Sequence, residues 1–162
     1  MIKKIEILLL ITFTLLTGCN SDNIDETKDT NNNSIVNVSN IDSVNLEKIK
    51  KEEQKVNIYF FWGNGCPHCA EEHTFFQEIE EEYGQYFNLY TFEVWFNDDN
   101  AELLEIFAEE MNDTVKGIPY TIIGDKSFTG FNDAKKDLII SAIEEQRMND
   151  FDIYLNQIKE NS

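Results

Sequence analysis

The sequence is short of positive charge, proline, histidine and cysteine, and each shortage excludes something. Its 162 residues hold 13 Lys and Arg against 31 Asp and Glu, a formal charge of −18. A surface of that sign repels phosphate backbones, so nucleic acid is not expected as a partner. Two histidines, His68 and His73, and three cysteines, Cys19, Cys66 and Cys69, are too few for an easy four-ligand zinc site, since His68 lies inside the Cys66–Cys69 loop. Long apolar runs are missing too: Ile7 to Leu16 has ten residues, with two threonines among them, and is too short to cross a bilayer. No internal repeat is visible, and the length fits one domain plus tails.

What is present starts with Lys3 and Lys4, then the apolar run, then Leu16-Thr17-Gly18-Cys19. Basic start, apolar stretch, small residues and cysteine, in that order, resemble the export signal of bacterial lipoproteins. The resemblance implies that 1–18 is a signal peptide and that Cys19 becomes a diacylated N-terminus. Two acyl chains suffice for lasting attachment to a membrane, here its extracytoplasmic face. Residues 19–45, rich in Asn, Asp, Ser and Thr, read as a disordered tether. As a flexible coil it spans roughly 25 to 30 Å. The remaining 46–162 form the domain, with a core over about 56–147 and a C-terminal helix over about 150–160.

Within the domain, Leu46 to Gln54 suggests a short charged helix. Val56 to Trp62 is a near-continuous apolar run, as a strand covered on both faces requires. A glycine turn, Gly63 to Gly65, leads into a helix starting at Cys66, with Pro67 in its first turn, where a missing N–H costs nothing. Ala70, Phe76, Ile79 and Tyr83 are expected to face the sheet, and Glu71, Glu72, Glu78 and Glu80 to Glu82 to face water. A strand over Asn88 to Phe96, a helix over Ala101 to Met111, a strand over Val115 to Ile123, a turn at Gly124-Asp125, a short strand over Lys126 to Phe131 and a helix over Asp133 to Arg147 follow. This order predicts parallel strands plus an antiparallel hairpin. Phe151, Tyr154, Leu155 and Ile158 then form a helical stripe expected to dock on the domain.

The chemistry lies in W-x-x-x-C-P-H-C at Trp62 to Cys69 and in G-I-P-Y-T at Gly117 to Thr121. A cysteine at a helix N-terminus meets unpaired N–H groups and partial positive charge, which stabilise its thiolate. Cys66 is therefore read as the accessible, attacking thiol and Cys69 as the resolving one. The two motifs, separated by one helix and one strand, resemble the thioredoxin-fold thiol-disulfide oxidoreductases. That resemblance implies an α/β fold with a central mixed sheet of about four strands flanked by helices, plus the extra C-terminal helix. It also implies a redox-active Cys66–Cys69 disulfide with no other cofactor, protein thiols and disulfides as substrates, and a membrane redox partner. Ile118-Pro119 is implied to be cis, with Trp62, Ile118 and Pro119 contacting substrate.

Direction of electron flow divides the residues. Pro67-His68 resembles the oxidising, DsbA-like branch, and a histidine that favours the thiolate makes the disulfide a better oxidant. Six residues before Cys66, where thioredoxins carry a buried acid, stands Phe60, which leans the same way. Ile118, as in thioredoxins, and the nearby Glu71 and Glu72 lean toward reduction. No room exists for the helical insertion of DsbA-like proteins. The alternatives are a reductase fed by a membrane donor, a copper or zinc carrier using Cys66, Cys69 and His68 or His73, and a redox-inert accessory module.

Overall fold

The structure, a computed structural model, describes residues 44–161. The signal peptide 1–18, Cys19 and nearly all of the tether 19–45 lie outside them. Ten helical and strand elements matter here. In chain order these are β1 (Val56–Trp62), α1 (Pro67–Glu78), α2 (Glu80–Tyr83), β2 (Phe87–Glu93), α3 (Asp98–Glu110), β3 (Tyr120–Ile123), β4 (Lys126–Thr129), α4 (Asp133–Gln146), a π-helical turn (Tyr154–Ile158) and α5 (Lys159–Asn161).

β1 is an inner strand of a four-stranded sheet ordered β2-β1-β3-β4. Because side chains alternate along a strand, its residues serve two cores. Val56, Ile58 and Phe60 pack with Phe75 and Phe76 of α1 and Ile139 and Ile143 of α4. Tyr59 and Phe61 pack on the other face with Leu104 and Phe107 of α3 and with Ile153 and Tyr154. β1 and β2 are parallel, joined by the crossover through α1, while β1–β3 and β3–β4 are antiparallel. Gly124 supplies the positive φ of +60° that the two-residue turn between β3 and β4 requires. This α/β arrangement, a mixed sheet between helices with the dithiol at the C-terminal end of β1, is thioredoxin-like.

Several local expectations are corrected. β2 stops at Glu93 and not at Phe96. β3 is only Tyr120–Ile123, because the chain before it is turned by a cis Ile118-Pro119 bond. The charged helix over Leu46 to Gln54 is one 3-10 turn, Leu46–Lys48, capped by Asn45, whose Oδ1 accepts from Glu47 N at 3.0 Å. On α1, Ala70 is exposed and Glu72 is buried. Glu72 lies three residues after Cys69 and four before Phe76, on the stripe that faces the sheet. Leu138, expected on the apolar side of α4, is 56% exposed.

The C-terminal stripe docks on the second core, with Tyr154 and Ile158 buried, through a π-helical turn where a regular helix was expected. A buried carboxylate anchors it. Asp152 accepts from Asn57 Nδ2 at 2.7 Å, from Tyr59 OH at 2.8 Å and from Leu155 N at 2.9 Å, so β1 and the C-terminal segment share one polar node. Burying a carboxylate is tolerable only when it is bonded this fully.

Candidate functional site

β1 ends at Trp62, and a tight turn delivers Cys66 to the N-cap of α1. Pro67 occupies the first helical position, where its fixed φ suits the helix and its missing N–H leaves nothing unpaired. Cys66 and Cys69 are disulfide-bonded, with Cα atoms 5.3 Å apart. The Cys69 backbone N–H donates to Cys66 Sγ at 3.2 Å, so one of the free donors at the helix start is aimed at the sulfur that would carry a thiolate. Neither cysteine is widely open, although Cys66 is the one expected to be accessible: Cys66 is 7% exposed and Cys69 2%.

The register of the sheet brings the remaining residues in. Phe61 pairs with Tyr120 at the end of the β1–β3 ladder, so Trp62 and Gly63 follow on one strand where Pro119 and Ile118 precede on the other. A Cβ on Gly63 would lie 2.6 Å from Ile118 Cδ1, which confirms the approach and shows why glycine stands there. On the other side, Val94 N donates to Trp62 O at 2.8 Å. The turn before Cys66 is thus held between the Val94-Trp95 loop and the cis-proline loop. Pro119 is buried, and Trp62 and Ile118 are half-buried.

A cleft of about 430 Å³ opens beside the disulfide, lined among others by Phe60, Trp62, Cys66, Cys69, His73 and Thr91. Burial holds the His73 imidazole below its ordinary pKa. His68 does not line that cleft. Its ring is exposed, with Nδ1 3.1 Å from Glu71 Oε2, in a groove shared with Asp133 and Lys136. A carboxylate at that distance offsets the positive charge through which His68 would favour a Cys66 thiolate. Among the described residues, no group of three or more His, Cys, Asp and Glu side chains is placed to hold a metal ion.

Two site residues stand apart from the sequence reading, which does not name Glu93 and turns Glu72 to water. Glu93, 5% exposed at the end of β2, accepts from the backbone N–H groups of Asn64, Trp95 and Phe96 at 3.0, 3.1 and 2.8 Å. Glu72, 1% exposed, accepts from Thr121 Oγ1 at 2.8 Å, two residues past Pro119. The signal for Glu72 was its place on the Cys69–Phe76 stripe. For Glu93 there was none, because the partners of its carboxylate lie on two separate loops.

No protein-family model matches the chain, nor does any curated protein. Among solved structures, a thioredoxin-like protein from Clostridium perfringens is similar at 22% identity and TM-score 0.47, over 65% of this chain and 79% of that one. A thioredoxin from Malassezia sympodialis is similar at 18% identity and TM-score 0.42, over 60% and 79%. A glutaredoxin from Archaeoglobus fulgidus is similar at 17% identity and TM-score 0.40, over 61% and 95%. The thioredoxin-like architecture itself rests on the chain's own strand order, on the cysteine pair at the start of α1 and on the cis proline directly before β3.

Proposed function

We propose that the chain is a thiol-disulfide oxidoreductase acting on protein thiols through Cys66 and Cys69, held at the extracytoplasmic face of a membrane by lipid on Cys19 and leaning to disulfide formation. The observation that carries the redox reading is the disulfide at the N-terminus of α1, with a helix N–H donated to Cys66 Sγ. A substrate thiolate attacks Cys66 Sγ, the Cys66–Cys69 bond breaks, and Cys69 leaves as a thiolate that takes up a proton. A second substrate thiolate then attacks the substrate sulfur of the mixed disulfide. Oxidised substrate departs, and Cys66 leaves as a thiolate stabilised by the helix N-terminus. Two electrons have moved from substrate to enzyme, and a membrane redox partner would remove them. In this reading Trp62, Ile118 and Pro119 would contact the substrate backbone.

The reverse flow is a second reading, and the His68–Glu71 contact at 3.1 Å favours it by weakening the tuning that His68 would supply. Equilibration of the reduced and oxidised chain with glutathione separates the two. A potential less negative than about −250 mV is expected, and a value nearer the −270 mV of thioredoxin would transfer the protein to the reducing side. For the anchor, the expected result is incorporation of labelled palmitate that a Cys19→Ser variant loses. Equal labelling of the variant would remove the lipid from this proposal.

A further inference from the structure

Trp95 and Phe96 are 53% and 78% exposed, side by side, next to the turn that leads into Cys66. Left to its alternation, β2 would continue through them. It stops because the buried Glu93 carboxylate takes the N–H groups of Trp95 and Phe96, bending the chain outward, and the N–H of Asn64, tying that bend to the active-site turn. The Trp95 indole lies over Gly63, with Cε2 2.6 Å from where a Cβ would stand, at the same distance as Ile118 Cδ1. Trp95 and Ile118 therefore crowd the same side of Gly63 in the turn before Cys66, and Phe96 extends that surface into solvent.

Two large rings in water, held there by a buried carboxylate, are costly unless something covers them. The surroundings restrict what that is. α3 begins directly after the pair with Asp98 and Asp99, both exposed, and the chain carries a charge of −18. A second copy of this chain or an anionic lipid surface would meet charge of its own sign. We propose that Trp95 and Phe96 are the docking surface for the substrate polypeptide beside its reacting cysteine, selecting segments with a large apolar side chain flanked by Lys or Arg. This deepens the thiol-disulfide reading and rests on it.

The test compares the full chain, oxidised, with two short cysteine peptides, one carrying Phe and Lys beside the cysteine and one carrying Ser and Glu. The rate of reduction of the Cys66–Cys69 disulfide by each is read by alkylation and mass spectrometry. The wild-type chain is expected to react about tenfold faster with the apolar, basic peptide, the size of one good anchor contact. That ratio should fall severalfold in Trp95→Ala/Phe96→Ala, to the part that the chain's negative charge alone supplies, and fall partway in Phe96→Ala, whose side chain is too exposed to matter for folding. It should stay in Met148→Ala, an exposed apolar residue just past α4. Reading the ratio cancels any change in the disulfide itself. An unchanged ratio in the double variant overturns the proposal, as does binding of uncharged phosphatidylcholine vesicles that only the aromatic variants lose while the ratio stays. If neither peptide reduces the wild-type disulfide, the redox reading fails and takes the docking surface with it, an outcome distinct from lost discrimination.

Discussion

Cys66→Ser is expected to abolish thiol-disulfide exchange completely, while Cys69→Ser is expected to leave a chain that captures disulfide-bonded substrate as a mixed disulfide longer-lived than the wild-type one. The asymmetry follows from position. Cys66 is the N-cap, its sulfur already accepting a helix N–H and the more exposed of the two, whereas Cys69 sits one turn inside at 2% exposure. A thiolate is the attacking and leaving species, and a serine hydroxyl cannot replace it at neutral pH. With Cys69 absent, the Cys66 thiolate attacks a substrate disulfide, one substrate cysteine leaves as a thiolate, and the Cys66–substrate bond persists because the intramolecular attack by Cys69 is lost. Non-reducing electrophoresis with mass spectrometry of the adducts measures both outcomes. Adducts on Cys69 in the Cys66→Ser variant, or turnover surviving there, would contradict the assignment of roles and make Cys69 the attacking thiol.

Glu72→Gln is expected to stabilise the protein at alkaline pH by roughly 3 kcal/mol, the free energy that separates a carboxyl titrating near 7 from one titrating near 4.5. Burial raises the Glu72 pKa to about 7, against the opposing pull of the Thr121 hydroxyl and the Lys135 charge. Lys135 cannot simply swing over to pair with it, since its Nζ is bonded to the carbonyls of Thr129 and Gly130. The folded state thus holds this proton more tightly than the unfolded chain. Stability from this group is complete below pH 4.5, falls as pH rises toward 7 and is gone above it. Glutamine keeps the bond from Thr121 and has nothing to ionise, so urea unfolding midpoints of the variant should lose this slope between pH 5 and 8. Identical slopes in the two proteins would contradict it. A bearing on direction follows: Glu72 opposes a Cys69 thiolate as a buried, unscreened charge only once it ionises, not as the solvated surface charge its sequence position suggests.

Much of the architecture was legible because it rests on local chemistry. The apolar run of β1 announces a strand covered on both faces, the proline after Cys66 marks the first turn of α1, and Gly124-Asp125 marks the hairpin. An asparagine before a helical stretch is the same kind of local signal, and Asn97 Oδ1 accepts from Asn100 N at 3.0 Å to open α3. The site residues were harder to place wherever a charged side chain pointed inward. A carboxylate counts as a surface residue in any periodicity reading, and only a partner distant in sequence reverses that.

The sequence by itself determined the order of strands and helices, the cysteine pair at a helix start and the acidity of the surface. Periodicity, turn chemistry and composition act over a few residues and need no tertiary contact to be read. Tertiary structure alone decided that Glu72 is buried against Thr121, that Glu93 ends β2 and turns Trp95 and Phe96 outward, and that His68 leans on Glu71. It also decided that Asp152 fastens the C-terminal segment to Asn57 and Tyr59. Each of these depends on a buried or paired charge, whose free energy is set by the groups that surround it and not by its own place in the chain.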